Sequence, residues 1–206
     1  NTSRSRLTGL GTDGLSGESV SIDIFGNRTF MTESIDRNSK TITRTTDYPD
    51  SIIDAVSVST NGLLTSSTSK TGVTTTYTYD ALERQIGVTD PRTGTTITAY
   101  DSRGWVDYVQ DRTGNRTSYA YENDTGRKTA EFNPLGKAVR FAYNDRGKIT
   151  RTWGDTVYPV EYVYDDYGRM AEMHTWRVEA GWTSETWPAG VEASADRTIW
   201  HYQDSS

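Results

Sequence analysis

The sequence predicts an all-β fold built from tandem β-hairpin repeats of about 21 residues that pair edge to edge into one continuous antiparallel sheet. Three observations predict it. Tyr79-Asp80, Tyr100-Asp101, Tyr121-Glu122, Tyr143-Asn144 and Tyr164-Asp165 recur at spacings of 21, 21, 22 and 21, and a fixed period of this length marks a repeat architecture. Turn signals of the form Asx…Gly fall twice per period. The chain is also poor in apolar residues, at 33%, yet carries 13 Tyr, 6 Trp and 4 Phe; ordinary domains reach roughly 45–50% with Gly counted in. Rings bury large areas and fit pleated sheets, so the aromatic content offsets the aliphatic deficit.

Within each period the residues two before the recurring Tyr are Tyr77, Thr98, Tyr119, Phe141 and Tyr162, and those between are Thr78, Ala99, Ala120, Ala142 and Val163. This aromatic–small–aromatic ending has the period of two that places both rings on one face of a strand. Asp101-Ser102-Arg103-Gly104, Asn144-Asp145-Arg146-Gly147 and Asp165-Asp166-Tyr167-Gly168 follow as turns. There an Asx side chain bonds backbone two residues on and Gly accepts positive φ. Glu122–Gly126 has one extra residue. Asp80-Ala81-Leu82-Glu83 lacks the Gly, so this turn is expected to be the most strained. Second turns follow at Asp90–Gly94, Asp111–Gly114 and Asn133–Gly136. A lone hairpin is marginal in water, so neighbouring units must share a sheet. The equivalent Tyr residues are expected to stack as a ladder of cross-strand pairs.

Taken in order, residues 1–19 read as a connecting or poorly ordered segment rich in Gly, Ser and Thr. Residues 20–73 read as degenerate β repeats, since Gly26-Asn27-Arg28-Thr29 matches Gly114-Asn115-Arg116-Thr117. Residues 74–174 hold the regular repeats. Residues 175–199 form a Trp-rich insertion. Residues 200–206 open a further, truncated repeat at Tyr202, which lies 38 residues after Tyr164; one period of 21 leaves 17 inserted residues. Because the chain starts at Asn1 and stops before the next turn Gly, it reads as a window on a longer array.

Several function classes fall away on composition. With 22 Lys and Arg against 28 Asp and Glu the net charge is −6, whereas a nucleic-acid surface needs clustered positive charge. There is no Cys. The two histidines, His174 and His201, give little material for a metal site. No apolar run approaches the roughly 18 residues of a membrane span, and no signal peptide is visible. No nucleophile elbow or phosphate loop occurs. His174 and His201 are expected at strand positions without a catalytic role. Glu161 and Glu172 could oppose each other across a hairpin, with a solvated face the simpler expectation. No catalytic, cofactor-binding or metal-ligating residue is assigned, and no cofactor is expected.

These repeats resemble the RHS/YD-repeat family, whose bacterial units follow a Tyr-Asp…Gly-Arg pattern of this length. Gly126-Arg127 and Gly168-Arg169 carry the Gly-Arg pair, while Gly104-Trp105 and Gly147-Lys148 depart from it. The likeness is strong over residues 74–170, weaker over 20–73 and partial over 171–206. It implies a spiralling sheet forming part of a hollow shell around a cargo, as in polymorphic toxins, insecticidal toxin complex cocoons and teneurins. It further implies a secreted or cell-surface location. The family's autoproteolytic Asp-Pro-x-Gly segment has no counterpart; Asp90-Pro91 with Gly94 is a repeat turn in phase with its neighbours.

The function expected is therefore non-catalytic: a structural segment of a shell, partnered by the rest of its own repeats and an enclosed protein. Two alternatives rest on other features. Open sheet edges can pair with other copies and build a filament or tube. Trp182 and Trp187, if outward on the insertion, could stack on a glycan as an adhesin does. Tyr77, Tyr79, Tyr100, Tyr119, Tyr121, Phe141, Tyr143, Tyr162 and Tyr164 form the expected aromatic ladder, and Gly104, Gly126, Gly147 and Gly168 the turns.

Overall fold

The computed structural model describes residues 4–10, 16–177, 185–187 and 195–202. Among these there are only strands and turns, as the repeat pattern predicts. The chain divides into two compact units, residues 1–98 with 111–113 and residues 99–110 with 114–206.

The first unit is an antiparallel meander of β1 (Arg4–Leu10), β2 (Gly17–Ile22), β3 (Arg28–Asp36), β4 (Thr41–Asp47), β5 (Ala55–Thr60), β6 (Leu63–Thr68), β7 (Thr74–Tyr79), β8 (Gln85–Asp90) and β9 (Gly94–Tyr100). Each strand pairs with the next in sequence. The second holds β10 (Val106–Gln110), β11 (Arg116–Tyr121), β12 (Lys128–Phe132), β13 (Ala138–Tyr143), β14 (Ile149–Gly154), β15 (Val160–Tyr164), β16 (Met170–Thr175) and β17 (Asp196–Ile199), again paired consecutively. Every regular repeat is one Tyr-ended strand, one Asx turn, a second strand and a second turn.

The turns behave as their composition dictates. Asp80 Oδ1 accepts the amides of Leu82 and Arg84 at 2.9 and 3.0 Å, and Asp101 Oδ1 those of Arg103 and Trp105 at 2.9 and 3.0 Å. Gly104, Gly126, Gly147 and Gly168 all hold positive φ, between 71° and 92°. Where the Gly is missing, Glu83 is forced to φ 63°, a conformation that costs an L-residue roughly 1–2 kcal/mol. Glu83→Gly is expected to recover part of that, a net gain of up to about 1 kcal/mol once the looser unfolded chain is counted. Urea denaturation followed by tryptophan fluorescence would measure it, and a loss of stability would contradict strain at this turn.

One recurrent feature carries no sequence signal. The register slips by one residue immediately before the repeat Tyr, between Thr78 and Tyr79, Ala120 and Tyr121, Ala142 and Tyr143, and Val163 and Tyr164. In each case the extra residue sits on the following strand: Ile86, Thr129, Thr150 and Ala171. The same slip occurs between Val58 and Ser59 in the degenerate region, with Thr65 extra. A bulge re-aims side chains and sharpens local twist. The small residue of the aromatic–small–aromatic triplet is thus the last one in register before each bulge.

Burial is shallow, as for a single-layer sheet. Among the described residues the buried hydrophobics are Ala130, Ala138 and Trp176, at 1%, 2% and 3% exposure, with Pro159 also enclosed. All four lie in the second unit.

Candidate functional site

The repeat Tyr residues do not form the stacked ladder expected from sequence. Equivalent rings stand on alternate strands, β7, β11, β13 and β15 among them, so those of adjacent repeats are two strand spacings, roughly 9–10 Å, apart. Ring pairs interact at about 4.5–7 Å. What links the repeats instead is the phenol. The hydroxyls of Tyr79, Tyr121, Tyr143 and Tyr164 donate to the carbonyls of Leu64, Val106, Lys128 and Ile149 at 2.8, 2.9, 2.7 and 2.8 Å. Each acceptor lies 15 residues earlier, at the start of the preceding repeat's second strand. Burial pushes the phenols of Tyr121, Tyr143 and Tyr164 up from their ordinary value, so they remain neutral donors.

Tyr202 makes the same bond, to Met170 O at 2.8 Å, across 32 residues. The excess over 15 is 17, the length of insertion inferred from the Tyr164–Tyr202 spacing. Tyr202 is therefore placed as a sixth repeat Tyr.

The space between rings is filled by the residue after the turn Gly. Trp105 lies 5.3 Å from Tyr121, while Arg127 sits 5.9 Å over Tyr143, Lys148 5.0 Å over Tyr164 and Arg169 4.4 Å over Tyr202. The Gly-Arg pair thus supplies a flat or cationic cover for the next repeat's ring, and Trp105 and Lys148 preserve that role. Lys128 adds a second cation between Tyr119 and Phe141, at 5.3 and 5.2 Å, held by Glu131 at 2.7 Å. Sequence reasoning missed this cation layer; the basic or aromatic residue after each Gly was the available signal.

Basic side chains on either side of the turn Gly also bridge turn to turn. Arg103 donates to Asn123 Oδ1 at 2.7 Å, Arg127 to Asn144 O at 2.9 Å and Arg146 to Asp166 O at 2.8 Å, and Lys148 bonds Gly168 O. Arg84, Arg103 and Arg169 also clamp the Asp of their own turns, at 2.6, 2.7 and 2.7 Å. Burial works against ionisation of Asp80, Asp101 and Asp165 and is their largest single influence. Bonds from arginine and backbone amides outweigh it together and hold all three carboxyls below the ordinary value. At the second turn, the Arg92 hydrogen bond takes Asp90 down to about 2. Asp90-Pro91 closes the β8–β9 turn, with Thr93 N donating to Asp90 O at 3.1 Å, in keeping with a repeat turn.

The remaining unusual chemistry gathers on β14 to β17 and on Trp187. Trp187 packs edge-on against Trp153 and Trp176, with centroids 5.7 and 5.2 Å apart, and Arg151 lies 4.7 Å over its ring. It is half-buried, which corrects the outward placement a glycan platform would need. Trp182 lies outside the described residues. Beside this cluster runs a charged row across four strands. Glu161 and Glu172 do not oppose each other: Glu161 faces His174, and Glu172 faces Val163. The His174 side chain, only 12% exposed, has Nδ1 3.2 Å from Glu161 and Nε2 2.8 Å from Glu172. Arg151 pairs with Glu161 at 2.7 Å and Arg197 with Glu172 at 2.6 Å. Bonds from His174 and then Arg197 draw the Glu172 carboxyl down despite its burial. His201 is exposed. Among the described residues no group of His, Asp and Glu has the arrangement to hold a metal ion.

Fold and contacts define a class first: a tandem array of Tyr-pinned β-hairpins. Residues 59–95 match the family model described as RHS Repeat. The match begins inside the region read as degenerate, and it includes the Tyr79–Leu64 bond. No curated protein matches the chain. Among solved structures it is similar to the crystal structures described as TcdB2-TccC3-Cdc42 and TcdB2-TccC3. The first has a TM-score of 0.53 at 17% identity and covers 97% of this chain and 11% of that one. The second has a TM-score of 0.53 at 15% identity and covers 97% and 12%. The same complex without its hypervariable C-terminal region gives 0.53, 17%, 97% and 11%. The chain thus spans about an eighth or less of those proteins, and the likeness is one of fold. No described helix is long and apolar enough to cross a membrane.

Proposed function

We infer that this chain is a structural segment of an RHS/YD-repeat shell that walls off a protein cargo, such as a toxin domain, and performs no catalysis. The observation that carries the reading is the repeated tyrosine–carbonyl bond. At Tyr79, Tyr121, Tyr143, Tyr164 and Tyr202 it pins a hairpin to its predecessor, and it serves no converging chemical site. The likeness to TcdB2-TccC3 over 97% of the chain supports the same reading. The partners are then the rest of the protein's own repeats and the enclosed cargo, and the location is secreted or on the cell surface. Residues 20–73 and 74–174 form most of the wall, to which the segments 1–19 and 175–199 each contribute a strand, β1 and β17, while the segment 200–206 leads into a further repeat.

Electron microscopy of the purified full-length protein, with limited proteolysis of the same sample, tests this. Closed hollow particles with a protease-resistant interior are the expected result. Long filaments would overturn it in favour of head-to-tail assembly. Glycan-panel binding that disappears on Trp182→Ala would overturn it in favour of an adhesin.

A further inference from the structure

His174 stands where two hydrogen-bond schemes meet. It lies on β16 opposite Arg197 of β17. Its Nδ1 faces Glu161 of β15 at 3.2 Å, and its Nε2 is within reach of two partners, Glu172 Oε2 at 2.8 Å and Arg197 Nε at 3.2 Å. One nitrogen cannot serve both in the same protonation state. A bare Nε2 accepts from the Arg197 N–H but faces the Glu172 oxygen lone pair against lone pair. A protonated Nε2 donates to Glu172 but then points its hydrogen at the guanidinium.

The first scheme is a bond between strands. The second is a bond along one strand, since Glu172 and His174 are both on β16. We propose that His174 is a proton-operated fastener for β17: unprotonated, it accepts from Arg197 and holds β17 against β16; protonated, it turns to Glu172 and releases the Arg197 Nε–H.

The surroundings fix the direction. Facing His174 are Glu161 from β15, Arg151 from β14 behind that carboxylate, Glu172 on its own strand and Arg197 from β17. The Trp176 ring lies edge-on at 6.1 Å. With β17 docked, two arginines balance two carboxylates, so an added proton makes the group a net cation. With β17 undocked, Arg197 is gone and the two carboxylates favour the proton. The docked state therefore binds fewer protons, so docking weakens as pH falls. Against release stand the Arg197–Glu172 pair at 2.6 Å and the short ladder of four residue pairs to β16. β17 is four residues long and exposed throughout. It also leads directly to Tyr202, so loosening it slackens the bond to Met170 O that begins the next repeat.

Amide hydrogen exchange tests this without any substitution. Divided by intrinsic rates, exchange in β17 is expected to rise at least about threefold between pH 7.5 and 5.5, with β12 amides unchanged as the internal reference. Its midpoint is expected to coincide with the His174 ring titration followed by NMR, assigned by comparison with His201→Gln. In His174→Gln, whose amide does not titrate, the β17 rate is expected to be flat with pH. A wild-type β17 rate independent of pH overturns the proposal. So does a midpoint displaced from the His174 titration, or a pH response that survives in His174→Gln. Should that variant fail to fold, the wild-type comparison alone decides.

Discussion

Replacing Tyr121 and Tyr143 together with Ser is expected to unfold the second unit in a single transition, at a cost of roughly 5–6 kcal/mol. Stripping a fully buried aromatic costs about 3–5 kcal/mol. These rings are half-buried, so about 2 kcal/mol each is the better figure, with about 1 kcal/mol more for each lost hydroxyl bond. The sum is comparable with the whole stability of many domains, about 5–15 kcal/mol. The two sites are not independent. Tyr143 donates to the Lys128 carbonyl and Lys128 pairs directly with Tyr121, so the double variant should depart from the sum of the singles. The paired Phe variant keeps both rings and should lose only about 2 kcal/mol. Guanidinium denaturation of wild type, the two single Ser variants, the Ser pair and the Phe pair checks this. A Ser pair as stable as wild type would remove the tyrosines from the fold's framework, and a Phe pair as damaging as Ser would assign the effect to the hydroxyl alone.

Gly154→Ala is expected to cost roughly 2–4 kcal/mol. Gly154 ends β14 with φ 154°, and a Cβ there would lie 2.1 Å from the Ala138 carbonyl oxygen and 2.9 Å from the Cα of Val139. Both obstacles are backbone, so neither can swing aside. The approach is needed because Asp155 ties the same residue twice, its amide donating to Ala138 O at 2.8 Å and its carboxylate accepting the Ala138 amide at 2.7 Å. The added methyl must push β14 from β13 or break that pair of bonds, and strain of this kind falls in the range given. Gly136→Ala is the control, since nothing lies within 4 Å of its Cβ position; it should lose only what its φ of 75° costs. Equal losses in the two variants would show that backbone conformation, not crowding, decides at Gly154.

Much of the fold was legible because its signals are local. An Asp or Asn that opens a turn and a Gly that closes it act within five residues, so Asp101–Gly104 could be read directly. The period did the rest for the repeats from Tyr79 to Tyr164. What stayed hidden depends on register between strands. Nothing in Ala120-Tyr121 or in Lys128-Thr129-Ala130 announces that Thr129 stands extra in the ladder, since a bulge is a property of two strands at once. The stacked tyrosines were misjudged for the same reason: the period places equivalent rings but does not count the strand between them. The charged row was glimpsed as Glu161 and Glu172, yet its hinge is His174, and only the observed register puts that ring between them.

The tyrosine bond also has a direction. Every acceptor precedes its donor in the chain, by 15 residues or, across the insertion, by 32. A repeat emerging from the ribosome therefore finds its docking point already synthesised, and needs nothing downstream to be fastened. Domains form N-terminal first at roughly 5–20 residues per second, so a 21-residue repeat is presented every one to four seconds to a waiting edge. An array wired this way can grow like a zip, closing behind the growing chain, and its most recently made hairpin is the sole part still open.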